Sequence, residues 1–276
     1  MHTQLSITAL YAVLYKWRRP YIALIIIMTI LGGLATLVLP KQYLSTATVV
    51  PANPQLTDKN FLYNTSIQSI NSVYGVEEDL DRLLTSLQLN GNYNAVVDKY
   101  KLVSHYNLAP STKASTQAAN ILKKQSGIFK TETGAIKINV WDTDPTLAAT
   151  MANEIVSLTN DRLIANNISI NKQYAAELTT MLAQHYTQLD SVDPNILKQN
   201  IQYTAIKNAI EKNEATLAQL KLTIATKVPA IVVLEPAYPS NVADKPSLAA
   251  WLTYALISSI LLGLLLIILA ERVSKA

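Results

Sequence analysis

Four acids crowd one short stretch of this sequence: Glu77, Glu78, Asp79 and Asp81. Clustered carboxylates are the raw material of general acid–base work and of divalent-cation binding. Neighbouring residues on a helix point in different directions, however, and acids in a first turn are ordinary complements of the helix dipole. The dipole reading accounts for all four. The three His, at positions 2, 105 and 185, are too far apart in sequence to suggest a local metal pair. His105 and His185 read as surface or packing residues. With no Cys, disulfides, Cys-based zinc sites and thiol catalysis are excluded. Neither a Gly-x-Ser-x-Gly elbow nor a Gly-x-x-x-x-Gly-Lys phosphate loop occurs. The 14 Tyr and 3 Trp could stack on sugar rings, but they are scattered, and packing is the default use. The expectation is a protein that is not an enzyme, with no catalytic, cofactor-binding or metal-ligating residues.

The elements must then carry the function without chemistry. Of 276 residues, 50% are hydrophobic and only 15% charged, and the mean hydropathy is +0.18, which points to lipid. The apolar excess sits at the two ends, residues 21–39 and 248–270. Residues 41–246 carry 18 Lys and Arg against 18 Asp and Glu, a net of zero (18 − 18), so the whole +4 lies in the flanks. Lys16, Arg18 and Arg19 precede the first apolar run; Glu271, Arg272 and Lys275 follow the second. A basic isoelectric point that belongs to membrane flanks is no footprint for phosphates, and nucleic acid is not an expected partner.

Residues 21–39 hold no charge and, at about 1.5 Å per residue, cover the roughly 30 Å hydrocarbon core. Residues 248–270 do so with some tilt. The first run is longer than a signal-peptide core and ends in Leu-Pro-Lys-Gln-Tyr, so an uncleaved anchor is expected. Its basic flank places the N-terminus in the cytoplasm; two spans return the C-terminus there, with residues 41–246 on the far side. Residues 5–17 are read as a short interfacial helix, with Tyr11, Tyr15 and Trp17 at headgroup level. Gly32 and Gly33 in the first span, and Ser259 and Gly263 in the second, offer small faces for close helix approach. Neither span holds an ionisable residue, which speaks against a pump or channel.

Between the spans, residues 43–53 are β-branched and stop at a proline, a strand. Residues 77–89 repeat Leu80, Leu83, Leu84 and Leu87 as an amphipathic helix ending near Gly91, and residues 115–125 form another, stopped by Gly127. Residues 128–131 and 135–141 read as two strands joined around Gly134, and residues 231–234 as a strand rejoining that sheet. From Ala135 to Leu262 there is no Gly, and long helices are permitted. Asp144-Pro145 opens one, with the stripe Leu147, Met151, Ile155 and Leu158, running to about Leu189. Asp190-Ser-Val-Asp193-Pro194 breaks it. Ile196, Gln199, Tyr203, Ile206, Ile210, Asn213, Leu217, Leu220 and Ile224 then alternate three and four apart, a coiled-coil seam.

The expected fold class is α+β: two transmembrane helices flank an α+β base that carries a long helical hairpin, a coiled-coil-like arm. The segments are 1–20 cytoplasmic, 21–39 first span, 40–144 base domain, 145–227 hairpin arm, 228–247 return strand and Pro-rich segment, 248–270 second span and 271–276 cytoplasmic tail. One hairpin has too little core to stand alone, especially through residues 166–172, so a homo-oligomer is expected.

This pattern resembles the Wzz-like polysaccharide co-polymerases, the chain-length determinants of bacterial O-antigen and related glycans. Four stretches carry the resemblance. They are the first span with Lys41-Gln-Tyr-Leu-Ser-Thr-Ala-Thr-Val-Val-Pro51; the strand, turn and Ala-rich helix start from Ile136 through Trp141, Asp144-Pro145 and Ala148 to Ala152-Asn153; the long helical excursion; and the Pro236, Pro239, Pro246 segment entering the last span. The arm is short for the family, and residues 55–75 match none of its features. The resemblance implies a non-catalytic homo-oligomer in the bacterial inner membrane, with a periplasmic main domain. It would regulate the chain length of a lipid-linked surface polysaccharide of the O-antigen or lipopolysaccharide type. Its partners would be the lipid bilayer, a membrane-bound polysaccharide polymerase and the growing lipid-linked glycan. Six residues follow Ala270, so no fused cytoplasmic kinase is expected. The alternative is a membrane adaptor activating a separate cytoplasmic tyrosine kinase in capsule or exopolysaccharide export, for which six residues leave little docking surface. A two-span sensor would need a cytoplasmic output module that residues 1–20 do not supply.

Overall fold

The computed structural model describes residues 15–52, 77–190 and 201–273. The interfacial helix expected over 5–17, the 55–75 loop and the Asp193-Pro194 break fall wholly or mainly outside the described residues. The elements run α1 (Arg18–Val38), β1 (Gln42–Pro51), α2 (Glu77–Leu87), α3 (Asn90–Lys99), α4 (Leu102–His105), α5 (Ala114–Lys124), β2 (Ser126–Lys130), β3 (Ile136–Asp142), α6 (Pro145–Asp190), α7 (Ile201–Thr226), β4 (Ile231–Glu235), β5 (Ala243–Lys245) and α8 (Leu248–Val273). This is the expected α+β class. The chain divides into two compact units: Met1–Leu44, Asp142–Pro145 and Ser240–Ala276 form one, Ser45–Trp141 and Thr146–Pro239 the other.

In the larger unit the sheet has the order β2-β3-β1-β4. β2 and β3 form the expected hairpin, register Ser126 to Val140 through Lys130 to Ile136, and Gly134 takes the turn at φ 79°. Only glycine adopts that backbone without strain. β4 lies antiparallel to β1, with Val50 opposite Val232 and Pro51 opposite Ile231. The alternation read in the sequence is the observed burial: Ile136, Ile138 and Val140 are fully covered while Lys137 is exposed. Against that face pack Leu80, Leu83 and Leu87 of α2, Leu122 of α5, and Met151 and Ile155 of α6. Each such fully buried side chain contributes about 1.5–3 kcal/mol.

Two expected stops are displaced. Gly91 does not end the leucine helix: α2 stops at Leu87, and α3 starts at Asn90 and includes Gly91. The cause is Asn92, fully buried, whose Nδ2 donates to the carbonyls of Ser86 (2.8 Å) and Leu87 (3.1 Å) and to Thr159 Oγ1 on α6 (3.0 Å). Those carbonyls are among the orphans at a helix C-terminus. One side chain thus closes α2, turns the chain and fastens the turn to α6. A Cβ at Gly91 would lie 3.1 Å from the Arg162 guanidinium, so the glycine leaves room for that group. Likewise α5 ends at Lys124, and Gly127 lies inside β2 under the Trp141 ring.

α6 begins at Pro145, just after Asp142 Oδ1 accepts from the Asp144 amide at 2.9 Å. Its 46 residues give a rod about 69 Å long. The Ala-rich first turns bury Ala148, Ala149 and Ala152 in the base. Two asparagines on α6 then bind the returning chain as backbone surrogates. Asn153 Oδ1 accepts from the Ala237 amide (2.8 Å) while its Nδ2 donates to the Ala237 carbonyl (2.9 Å). Asn160 Oδ1 accepts from the amides of Ala230 (3.0 Å) and Ile231 (3.2 Å), where β4 starts.

In the smaller unit α1 and α8 pack antiparallel. Gly32 faces Ala255, Gly33 faces Leu252, and the Tyr21 ring lies on Gly263 with its hydroxyl donating to the Ile260 carbonyl at 3.3 Å. The small faces singled out in the sequence meet one another's helix. Thr36, Ser258 and Ser259 donate to backbone carbonyls of their own helices, which satisfies hydroxyls in an apolar setting. Both helices, Arg18–Val38 and Leu248–Ala270, are long and apolar enough to cross a membrane. Their apolar windows are 0% and 17% buried, unlike the core helix of a soluble domain. β5 pairs with the start of β1, Tyr43 opposite Ala243.

Candidate functional site

Two of the four clustered acids, Glu77 and Asp81, tie α2 to the sheet. Lys130 Nζ on β2 contacts Glu77 Oε1 at 2.6 Å and Asp81 Oδ1 at 3.7 Å, and Asp79 pairs with Arg82 at 3.8 Å. The hydrogen bond from Lys130 holds the Glu77 carboxyl below its ordinary range, and the same bond raises the lysine. A second cluster, not singled out from the sequence, joins α3 to α6. Glu154 accepts from Lys99 Nζ at 2.7 Å and from the Tyr100 hydroxyl at 3.0 Å. Burial first, then the bond to Glu154, pushes the Tyr100 hydroxyl up. His105 lies on α4 beside the Tyr106 ring, and His185 lies far out along α6. Among the described residues no group of three or more His, Cys, Asp or Glu is arranged to hold a metal ion.

The arm has a more regular organisation. On α7 the described members of the expected seam, Tyr203, Ile206, Ile210, Asn213, Leu217, Leu220 and Ile224, are all at least partly covered, as are Ala209, Thr216, Gln219 and Thr223 beside them. Gln199 and Ile196 lie outside the described residues. Asn213 is half-covered. Sequence reading missed the matching stripe on α6. There Ile164, Ile168, Asn171, Ala175, Leu178, Leu182, His185 and Leu189 are less exposed than their neighbours and alternate four and three apart. Small and polar members disguise it. The Tyr186 hydroxyl donates to Glu214 Oε1 at 2.5 Å, which raises that hydroxyl's pKa, while Asn160 meets Ala230 near the base. The two meeting points run in opposite order along the chain, so α6 and α7 are antiparallel.

Outside the seam, α6 presents an unusually uncharged surface. Between Arg162 and Asp190 its only Lys, Arg, Asp or Glu residues are Lys172 and Glu177. Thr180, Gln184, Thr187 and Gln188 line a shallow groove with Ala183. Ile170, Tyr174 and Met181 are 50%, 43% and 46% exposed, so apolar area beside the seam is left uncovered by α7. Such a surface can hydrogen-bond a neutral hydroxyl-rich chain through amides and hydroxyls, and can bury its apolar strip against another helix.

The model of the Wzz family, described as chain length determinant protein, matches residues 3–95, which include α1, β1 and α2. No curated protein matches the chain. Among solved structures, a full-length bacterial polysaccharide co-polymerase aligns at 12% identity and TM-score 0.40, over 98% of this chain and 99% of that one. A fragment of WzzB, a polysaccharide co-polymerase from Salmonella Typhimurium, aligns at 12% identity and TM-score 0.39, over 75% and 100%. A point mutant of the Shigella flexneri lipopolysaccharide O-antigen chain-length regulator aligns at 11% identity and TM-score 0.30, over 74% and 100%. The chain therefore resembles the Wzz chain length determinants, with the family match carried by its first third, residues 3–95.

Proposed function

We propose that this protein is an inner-membrane polysaccharide co-polymerase that regulates the chain length of a lipid-linked surface polysaccharide without chemistry of its own. The match of residues 3–95 to the chain length determinant family carries the reading. The fold supports it. Two apolar helices pair at the ends of a charge-balanced domain. Glu77 and Asp81 pair with Lys130, Asp79 with Arg82 and Glu154 with Lys99.

In this reading both termini are cytoplasmic, the base and arm are periplasmic, and copies associate through the arm. Ile170, Tyr174 and Met181 supply the apolar strip that a neighbouring copy covers. The spans face the polymerase, and the uncharged side of α6 faces the growing glycan. Deleting the gene tests the function: surface glycan that clusters around one modal length in the parent should decay smoothly with length in the deletion strain. An unchanged modal cluster would refute the proposal. The mass of the detergent-solubilised protein tests the assembly, since a monomer at micromolar concentration would exclude a stable homo-oligomer.

A further inference from the structure

The antiparallel spans leave a cleft at the end that carries the basic flank. Trp17, Pro20, Tyr21 and Leu24 of the first helical segment line one wall, and Gly263 and Ala270 of α8 stand on the other. The cleft opens beside the seat of the Tyr21 ring on Gly263, where a Cβ would collide with the ring, and Leu266 and Ile267 complete its α8 wall. Its volume is about 170 Å³, below the roughly 300 Å³ of a small-molecule pocket, so it holds a stretch of chain rather than a whole ligand. Its walls are almost entirely apolar apart from the aromatic tips. Lys16 Nζ stands 5.8 Å from the centre of the Trp17 ring, which lines the cleft. Among the described residues none accepts a hydrogen bond from the Trp17 indole Nε1. Arg18 stacks on Tyr15 at 4.3 Å, and Arg19, two residues from Trp17 and Tyr21, lies on the opposite side of the helix.

We propose that this cleft binds an anionic phospholipid, with one acyl chain between Tyr21, Leu24 and Ala270 and the phosphate at Lys16 and the Trp17 indole. Charge complementarity selects the occupant: an apolar slot with the Lys16 ammonium beside its Trp17 wall, in a basic flank at headgroup level, fits a lipid with net negative charge better than a zwitterionic one.

Native mass spectrometry of the full detergent-solubilised chain tests this with phosphatidylglycerol and phosphatidylcholine of the same acyl composition. Phosphatidylglycerol should be retained at least about fivefold better, the effect of one basic side chain beside a lipid phosphate. Lys16→Gln should cut that preference by about fivefold, and Arg19→Gln by less. Ala270→Trp, which fills the slot, should abolish retention of both lipids while helicity by circular dichroism stays at the wild-type level. Leu24→Trp serves as a second filling variant should the first fail to fold. Inorganic phosphate should not displace the lipid. Equal retention of the two lipids, a preference unmoved by Lys16→Gln, or displacement by inorganic phosphate alone would each overturn the assignment.

Discussion

The two asparagines that bind the returning chain to α6 use their amides differently, and that difference can be measured. Asn160 works as an acceptor only, taking the amides of Ala230 and Ile231. Asn153 works as donor and acceptor at once, on the amide and carbonyl of Ala237. Replacing either by Ala removes two hydrogen bonds worth about 1 kcal/mol each, so both Asn160→Ala and Asn153→Ala should cost roughly 2 kcal/mol. Replacement by Asp separates them. An Asp at 160 still accepts both amides, now with charge assistance, and should leave stability within about 0.5 kcal/mol of wild type. An Asp at 153 loses the bond to the Ala237 carbonyl and sets a carboxylate oxygen against it, which should cost about 2 kcal/mol or more. Urea unfolding of the detergent-solubilised chain, followed by tryptophan fluorescence and circular dichroism, reads this directly. With a slope near 2 kcal/mol/M, a 2 kcal/mol loss lowers the midpoint by about 1 M. Equal midpoints for Asn160→Asp and Asn153→Asp, with unchanged slopes, would refute the backbone-surrogate account.

Three further outcomes follow from the same geometry. Leu182→Ala empties a seam position that is 7% exposed and should cost about 2–3 kcal/mol, whereas Met181→Ala next to it should change stability by under ~0.5 kcal/mol while weakening association of copies; unfolding midpoints and light-scattering mass separate the two. Gly263→Leu drives a side chain into the Tyr21 ring and should lower the thermal stability of the solubilised protein, and Tyr21→Ala added to it should restore part of the loss. Glu77 is held low by Lys130, so its contribution is present above the ordinary glutamate pKa of about 4.3 and lost as the pH falls below it. Lys130, held high, contributes below its ordinary pKa and loses that contribution as the pH rises past it. Lys130→Met should flatten the stability profile at both extremes, and high salt should mimic it because the pair is at the surface.

The sequence was readable wherever one physical pattern dominated. Uncharged runs of span length became α1 and α8; Ile136, Ile138 and Val140 alternated into a buried face; Asp144-Pro145 opened α6; and the three-four spacing from Tyr203 to Ile224 became the covered stripe of α7. What escaped was decided by tertiary contacts. α3 opens on Asn-Gly-Asn, poor helix formers with no side-chain cap, and forms because Asn92, Tyr93, Val96 and Val97 are buried against the base. The α6 seam was hidden because Asn171, Ala175 and His185 occupy positions where an apolar pattern expects leucines. Asn153 and Asn160 could be seen as residues but not as backbone partners, since their roles exist only once β4 has come back beside α6. α7 ends without a glycine, at Lys227 with φ 46°, so the usual stop signal is missing there.

The central claim is that the arm lies across the bilayer from the basic flank of α1. Because the chain has no Cys, a single introduced cysteine is a unique reporter. Gln188→Cys on the arm should react with a membrane-impermeant maleimide in intact spheroplasts. Arg19→Cys should react only after the membrane is opened. Labelling of Arg19→Cys with protection of Gln188→Cys would put the arm in the cytoplasm and contradict the proposed function.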